Sequence, residues 1–382
     1  MIRRLLFQVH MWMGLVLGVL FVALGLSGSV LVYNDAIDRL TAPMPRASAS
    51  GTPQPLDNLI AAARAAAPAA QGPVFLELPK RPGDPAVVRF FPAAGAPASA
   101  NRDGRRAGRI AVQGGEIFVD PVTAKVLGSR ISVMSPIVAI AHDLHGNLFL
   151  GASGRPYVGW LGIAMLVLGL TGLVLWWPRS RQWKSAFVVR RAARGLRFYR
   201  ELHGAAGIWG FVVFIIVSFT GVGMVFSDTI RGALSGGASP ASNVSALSQI
   251  DPNGNAPIGA DVAVALARKA LPHDQVVSIM LRPAQAISVT MRPDDGSPIL
   301  ALVYVDPYRA KVTAVRDRGT LSDAETFLAW QKPLHVGDGL GPVWRFFVFL
   351  SGFLPLLFVV TGVVMWLTKR RNRMAMNQPL PE

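Results

Sequence analysis

The chain contains no cysteine in its 382 residues. It therefore forms no disulfide, holds no cysteine-ligated iron–sulfur cluster and offers no CxxCH for covalent haem. Acidic residues are scarce as well, 22 against 38 Lys and Arg, leaving a formal net charge of +16. There is no P-loop, and no G-x-G-x-x-G follows a strand-like run, which counts against an ATPase or a self-contained nicotinamide reductase. Charge is missing altogether from four apolar runs: residues 11–33, 157–177, 205–226 and 346–367 contain no Asp, Glu, Lys, Arg or His. Each meets the roughly 20 residues that a helix needs to cross a hydrocarbon core. The 51% hydrophobic content is thus concentrated in blocks, and the chain reads as an α-helical integral membrane protein with four spans. Without an ionisable residue inside those spans, a charge-coupled transporter is disfavoured.

The charge that is present sits beside the spans. Residues 178–202 carry eight Lys or Arg against one Glu, Arg3 and Arg4 precede the first span, and "TKRRNR" follows the last. The positive-inside rule makes these regions cytoplasmic and puts the two long intervening segments outside. Juxtamembrane anchoring accounts for the basic clusters, so no nucleic-acid partner is expected. The first run is 23 residues long with no clear small-x-small site, and it reads as a retained span rather than a cleaved signal. The expected organisation is an N-terminus and first span over 1–33, an outside domain over 34–156, a second span over 157–177 and a basic loop over 178–204. A third span follows over 205–226, then a second outside domain over 227–345, a fourth span over 346–367 and a basic tail over 368–382.

The chain also resembles itself. His10, Ser27-Gly28 and Asp35 match His203, Thr220-Gly221 and Asp228 at a constant offset of 193, and His145, Thr171-Gly172 and Trp176 match His335, Thr361-Gly362 and Trp366 at an offset of 190. "IFVDPVTAKV" likewise resembles "VYVDPYRAKV". The pattern predicts an internal duplication, each copy being span, outside domain, span, with the copies related by a parallel pseudo-two-fold axis along the membrane normal. Each outside domain is expected to be α+β. An Ala-rich amphipathic helix precedes alternating strands ("VFLELP", "AVVRFFP", "GEIFVDP"; "VVSIMLRP", "AISVTMRP", "ILALVYVDP"), with Asp-Pro marking tight turns. A further helix near the membrane follows, the second opening with the capping box Ser322-x-x-Glu325. Stretches 41–55 and 92–101 read as mobile loops.

Five of the six histidines lie near span boundaries, and four of them match across the duplication. About 35 Å of helix separates residue 10 from residue 33, so His10 cannot share a site with His145 of its own copy. Pairing must cross the axis, His10 with His203 inside and His145 with His335 outside. Two facing neutral imidazoles suit the axial positions of a haem iron. Gly14 and Gly207 lie one turn along the faces of His10 and His203, where a missing side chain either admits a flat ring or allows close helix packing. Three further readings stand beside this one: interfacial polar caps, a zinc site from His142, His145, His335 and Asp143, and, for His142 alone, an alternative axial ligand, a hydrogen-bond partner or a substrate-side residue. His273 reads as a surface residue, and the tryptophans at span ends as interface anchors.

The opening His10-x-Trp12-x-Gly14-Leu15 with its Leu26-Ser27-Gly28, the D-P-x-x-x-K-V turns at Asp120 and Asp306, the "DLHGNLF" block at 143–149 and the paired Thr-Gly…Trp endings resemble the PepSY-associated transmembrane helix family. The chain is similar to its short iron-uptake-associated members, inner-membrane ferric-siderophore reductases with two b-type haems. The resemblance implies non-covalent haem ligated by His10, His203, His145 and His335, with His142 as a candidate. It also implies a periplasmic ferric siderophore as substrate and a bacterial inner-membrane location with both termini cytoplasmic. Longer members carry a flavin and nicotinamide reductase domain that this chain does not show after its fourth span, so a membrane quinol or a separate flavoprotein would be the electron donor. The PepSY name also covers peptidase-inhibiting domains, which gives the alternative of a membrane-anchored binding or regulatory module without redox activity.

Overall fold

The structure, a computed structural model, describes residues 1–67, 72–91, 115–130, 134–178, 183–234, 250–252 and 254–376. The first half runs through α1 (Ile2–Val32), α2 (Asn34–Thr41), α3 (Leu56–Ala66), β1 (Val74–Glu77), β2 (Ala86–Phe90), β3 (Glu116–Val119), β4 (Val126–Arg130), α4 (Pro136–Asn147), a 3-10 turn at Gly151–Gly154 and α5 (Arg155–Trp176). After a short α6 (Trp183–Ala186) come α7 (Gly195–Val225), α8 (Ser227–Leu234), α9 (Ala260–Ala270), β5 (Gln275–Leu281), β6 (Ile287–Arg292), β7 (Ala301–Asp306), β8 (Lys311–Arg316), α10 (Asp323–Val336), α11 (Gly341–Ser351) and α12 (Leu354–Met376). Both halves therefore present the same succession of long helix, helices, four strands, helix and long helix. These elements form a helical unit (Met1–Asn34, Val138–Ser227, Gln331–Glu382) and a sheet unit (Asp35–Ile137, Asp228–Trp330).

Among the described residues the helical unit holds four helices long and apolar enough to cross a membrane: Ile2–Val32, Gly151–Trp176, Gly195–Val225 and Gly341–Met374. The protein is thus a multi-pass membrane protein. Three of these helices overrun the expected spans, because α1 and α7 start at residues 2 and 195 and α12 runs to 376. A 31-residue helix rises about 46 Å against a core of about 30 Å, so the extra turns carry the basic residues beyond the apolar stretch. Ten residues assigned to the basic loop, and much of the basic tail, are accordingly helical.

The fourth span, expected as one helix over 346–367, is broken between Ser351 and Leu354. Pro355 has no N–H to continue the ladder, and the Phe353 N–H turns to the Leu350 carbonyl at 3.1 Å. That leaves the Phe349 carbonyl without its usual partner. The Ser29 hydroxyl of α1 donates to it at 2.7 Å, which is how a freed backbone group is satisfied inside an apolar bundle. Gly25 and Gly352 meet backbone to backbone at the same level, where a Cβ on either would collide.

Two span-end tryptophans are tethers. The Trp176 indole donates to the Ala186 carbonyl at 3.1 Å and the Trp209 indole to the Phe187 carbonyl at 2.9 Å. Arg190 pairs with Glu201 at 2.6 Å. Together they fold residues 183–190 back onto α5 and α7.

In the sheet unit the eight strands among the described residues join one antiparallel sheet in the order β4-β3-β2-β1-β5-β6-β7-β8. β1 pairs with β5, Leu76 opposite Ile279. This corrects the expectation of two separate outside domains: the segments from the two halves share a sheet and a core. One face packs on α3 and α9, with Leu59, Ala63, Val264 and Ala267 against Leu76, Val88, Phe90, Ile117, Ile279, Val289 and Val303. On the other face Glu116, only 1% exposed, is held between Arg89 at 2.8 Å and Arg130 at 2.6 Å. A buried carboxylate needs such partners.

The helices α3 and α9 cap each other. The Asp57 carboxylate accepts from the Ala260 N–H at 2.7 Å, and the Asp261 carboxylate accepts from the Leu56 and Asp57 N–H groups at 2.9 and 3.0 Å. Each aspartate thus satisfies the free donors at the other helix's start.

The two Asp-Pro turns form as expected. Asp120 accepts from the Val122 and Thr123 amides, Asp306 from the Tyr308 and Arg309 amides, and each turn closes on an alanine of positive φ, Ala124 at 54° and Ala310 at 51°. The Ser322–Glu325 capping box also forms, with Ser322 N–H to the Glu325 carboxylate at 3.0 Å and Glu325 N–H to the Ser322 hydroxyl at 3.3 Å. Stretch 41–55 is pinned rather than mobile: Ala47 N–H reaches the Gly83 carbonyl, Ser48 bonds Asp120, and Gln54 N–H reaches the Pro121 carbonyl. Stretch 92–101 lies outside the described residues.

Candidate functional site

His10 and His203 stand at equal depth, each eight residues after the start of its helix, α1 and α7. Their rings lie 6.2 Å apart, centre to centre, at 71°. His145 at the end of α4 and His335 at the end of α10 lie 5.9 Å apart at 45°. The structure therefore brings together the two cross-axis pairs that the spacing predicts. We call them the inner pair and the outer pair.

Every one of these rings is held through Nδ1. His10 Nδ1 is 3.0 Å from Thr171 Oγ1 and His203 Nδ1 is 2.7 Å from Thr361 Oγ1. Both threonine hydroxyls give their own proton to a carbonyl one turn back, Val167 at 2.7 Å and Leu357 at 2.7 Å. They can only accept from the imidazole, so Nδ1 carries the hydrogen. At the outer pair, His145 Nδ1 is 2.9 Å from the Leu24 carbonyl and His335 Nδ1 is 2.9 Å from the Val217 carbonyl. A carbonyl oxygen is only an acceptor, so the assignment is the same. All four neutral rings are Nδ1–H tautomers whose Nε2 lone pair is left for a ligand bond, the state in which histidine binds a metal.

The separations suit a metal between the rings. A bond of about 2 Å from metal to imidazole nitrogen on each side, plus roughly 1 Å from nitrogen to ring centre, puts two trans imidazoles about 6 Å apart. The glycines beside the inner pair leave room. No atom lies within 4 Å of where a Cβ on Gly14 would stand, and at Gly207 the nearest is the Phe358 ring at 4.0 Å. Close-packing glycines look different: a Cβ at Gly159 would meet Phe226 at 2.6 Å and one at Gly169 would meet Ile215 at 2.7 Å. Gly14 and Gly207 are therefore not close-packing contacts, and the space beside them is open to a flat ring.

His142 does not join either pair. Its side chain is 52% exposed and its Nδ1 lies 3.8 Å from Asp143. Among the described residues no three His, Cys, Asp or Glu side chains converge as a metal site, so the geometry gives the four-residue zinc arrangement no support. His273 is exposed in the turn before β5.

One feature escapes sequence reading. The Ser/Thr-Gly steps of three long helices seat a histidine from elsewhere, Thr171-Gly172 for His10, Ser27-Gly28 for His145 and Thr220-Gly221 for His335, while on the fourth Thr361 alone holds His203. A Cβ on Gly28 or Gly221 would lie 2.9 Å from the seated ring, and one on Gly172 3.2 Å. Ser27, Thr171, Thr220 and Thr361 are all buried. Recurrence at all four positions was the available signal, but it is equally what helix packing produces.

The sequence model of the PepSY-associated TM region matches residues 7–369. An uncharacterized protein of Pseudomonas aeruginosa is 39% identical over 87 residues, 22% of this chain. The match spans about a fifth of that protein's own length, 21%.

Proposed function

The chain belongs to the PepSY-associated TM family, and from that premise we propose that it is a ferric-siderophore reductase of the bacterial inner membrane. It would hold two non-covalent b-type haems, one between His10 and His203 and one between His145 and His335. The observation that carries this reading is the doubled arrangement itself, two facing imidazoles with Nδ1 anchored and Nε2 free at each of two levels. When bound, the haems supply one-electron carriers near either membrane face. The protein's own part is to bury and orient the imidazoles. Along α1, His10 and the Leu24 carbonyl that anchors His145 are 14 residues apart, about 21 Å of rise, so the pairs lie toward opposite ends of the bundle.

Both termini are cytoplasmic in this reading and the sheet unit is periplasmic, as the basic flanks suggest. One electron from a membrane quinol or a separate cytoplasmic flavoprotein converts the Fe(III) of a periplasmic siderophore to Fe(II). The lower charge weakens its hold on hard oxygen ligands, and the iron is released.

Purified protein from haem-replete cells should show the absorption of low-spin b-type haem at two per chain. His10→Ala should remove one of these haems and His335→Ala the other. Colourless protein would end the redox reading and favour the regulatory alternative, and loss of both haems from either single change would end the assignment to two separate sites.

A further inference from the structure

The nearest acceptors of the inner and outer pairs differ in kind. Inside, both rings have threonine side chains as acceptors, at 3.0 Å from Thr171 and 2.7 Å from Thr361, and His10 has the Leu168 backbone as a second partner. Outside, both donate to main-chain carbonyls, at 2.9 Å from Leu24 and from Val217. His335 Nδ1 also lies near a hydroxyl, Thr220 Oγ1 at 3.2 Å, but the carbonyl bond is the shorter. Ser27, the counterpart of Thr220, gives its hydroxyl to the Ala23 and Leu24 carbonyls.

From this we infer that Thr171 and Thr361 are positioning residues for the inner imidazoles, setting their tautomer and ring plane, while the backbone does the same for the outer pair. The inference rests on the haem reading and adds to it a division of control. The nearest acceptors of the inner site can be removed by side-chain substitution, whereas those of the outer site are main-chain carbonyls that no substitution removes.

The physical route is direct. Each threonine hydroxyl is itself polarised by donating to Val167 or Leu357, which strengthens it as an acceptor. An imidazole whose Nδ1–H is bonded to such an acceptor is a stronger donor through Nε2 and is locked against rotation. Valine in place of threonine keeps the volume and removes the nearest acceptor, leaving the buried His203 N–H unpaired and the His10 N–H with the Leu168 backbone alone. The ring can then swing or change tautomer, which takes Nε2 off the axis between the pair. Each helix also holds the imidazole that another element presents: α5 holds the ring of α1, and α12 holds the ring of α7. A defect at either threonine therefore reaches the ligand without altering the helix that carries it.

The test uses the full-length protein with haem b, in a His335→Ala background so that the inner site is read alone. Thr171→Val with Thr361→Val should weaken haem affinity there by roughly 10-fold or more, in the range seen when the partners of metal-bound histidines are removed. It should also shift the low-spin electron paramagnetic resonance signal and raise the midpoint potential, since a weaker axial donor favours ferrous iron. Thr171→Ser with Thr361→Ser should restore all three. Thr368→Val makes the same chemical change on α12 at a hydroxyl that bonds the Val364 carbonyl, and it should leave them unchanged. Inner affinity, signal and potential equal to those of the background in the double valine variant would overturn the inference while leaving the haem reading intact. If the background binds no haem but wild type does, the assignment of His10 and His203 fails instead.

Discussion

At the scale of single residues, the four histidines do their work through neighbours that look ordinary in sequence. Gly28 and Gly221 receive the edges of His145 and His335, and a methyl group there would stand 2.9 Å from Cε1, whereas at Gly362 no atom lies within 4 Å of the corresponding position. We expect Gly28→Ala or Gly221→Ala to cut haem affinity at the outer site by about 10-fold, and Gly362→Ala to leave the spectrum of wild type. Haem titration of the three variants checks this; equal behaviour would mean that the steps serve helix packing alone. The pairing of His10 with His203 and of His145 with His335 was legible before the structure, because two constant offsets and the length of a span left no other partners. The seats were not, since a small residue against an imidazole and a small residue against a leucine leave the same mark in sequence. His142 was ambiguous for a related reason: spacing of three places it on a face with His145, but direction toward solvent is decided by what packs on α4.

Among elements, the apolar runs and the alternating strands were readable because periodicity reports burial. β4 and β8 were not expected, as edge strands carry charge and weak alternation: β4 has the sequence VLGSR with none of its residues buried. The break in the fourth span also went unseen, since Pro355 lies inside an unbroken apolar run and its consequence depends on Ser29 of another helix. The hairpin turns carry a pH dependence. Burial pushes the Asp120 carboxyl up, but the bonds from Ser48, Val122 and Thr123 outweigh it and hold its pKa below the ordinary value. At Asp306 burial is likewise outweighed by the bonds from Tyr308 and Arg309. A depressed folded pKa stabilises above the unfolded value, about 3.9, and that stabilisation is lost as pH falls through the folded value. The melting temperature of the sheet unit should drop as pH is lowered below about 4, and Asp120→Asn with Asp306→Asn should flatten that dependence. A profile unchanged by the double substitution would assign the acid sensitivity elsewhere.

For the whole molecule, the joining of eight strands through β1 and β5 could not be read, because pairing between residues two hundred positions apart leaves no local pattern. It makes the sheet unit one cooperative body, and its melting should show a single transition. Ile279→Ala, at the centre beside Leu76, should lower that transition as a whole by about 2–5 kcal/mol. Asp261→Ala, which uncaps α3 from across the sheet unit, should lower it by about 1 kcal/mol. Differential scanning calorimetry that resolved two transitions, one per half, would contradict the shared core.

Each imidazole of a pair comes from a different half of the chain, and each is anchored by a helix of its own half. Two identical halves meeting face to face would present the same four rings. In such a homodimer every substitution would strike both members of a pair at once, whereas a single chain can alter one and keep the other. Ala141 and His142 in one half against Gln331 and Lys332 in the other show that latitude in use. The surroundings of the two outer histidines differ while the pair itself is matched.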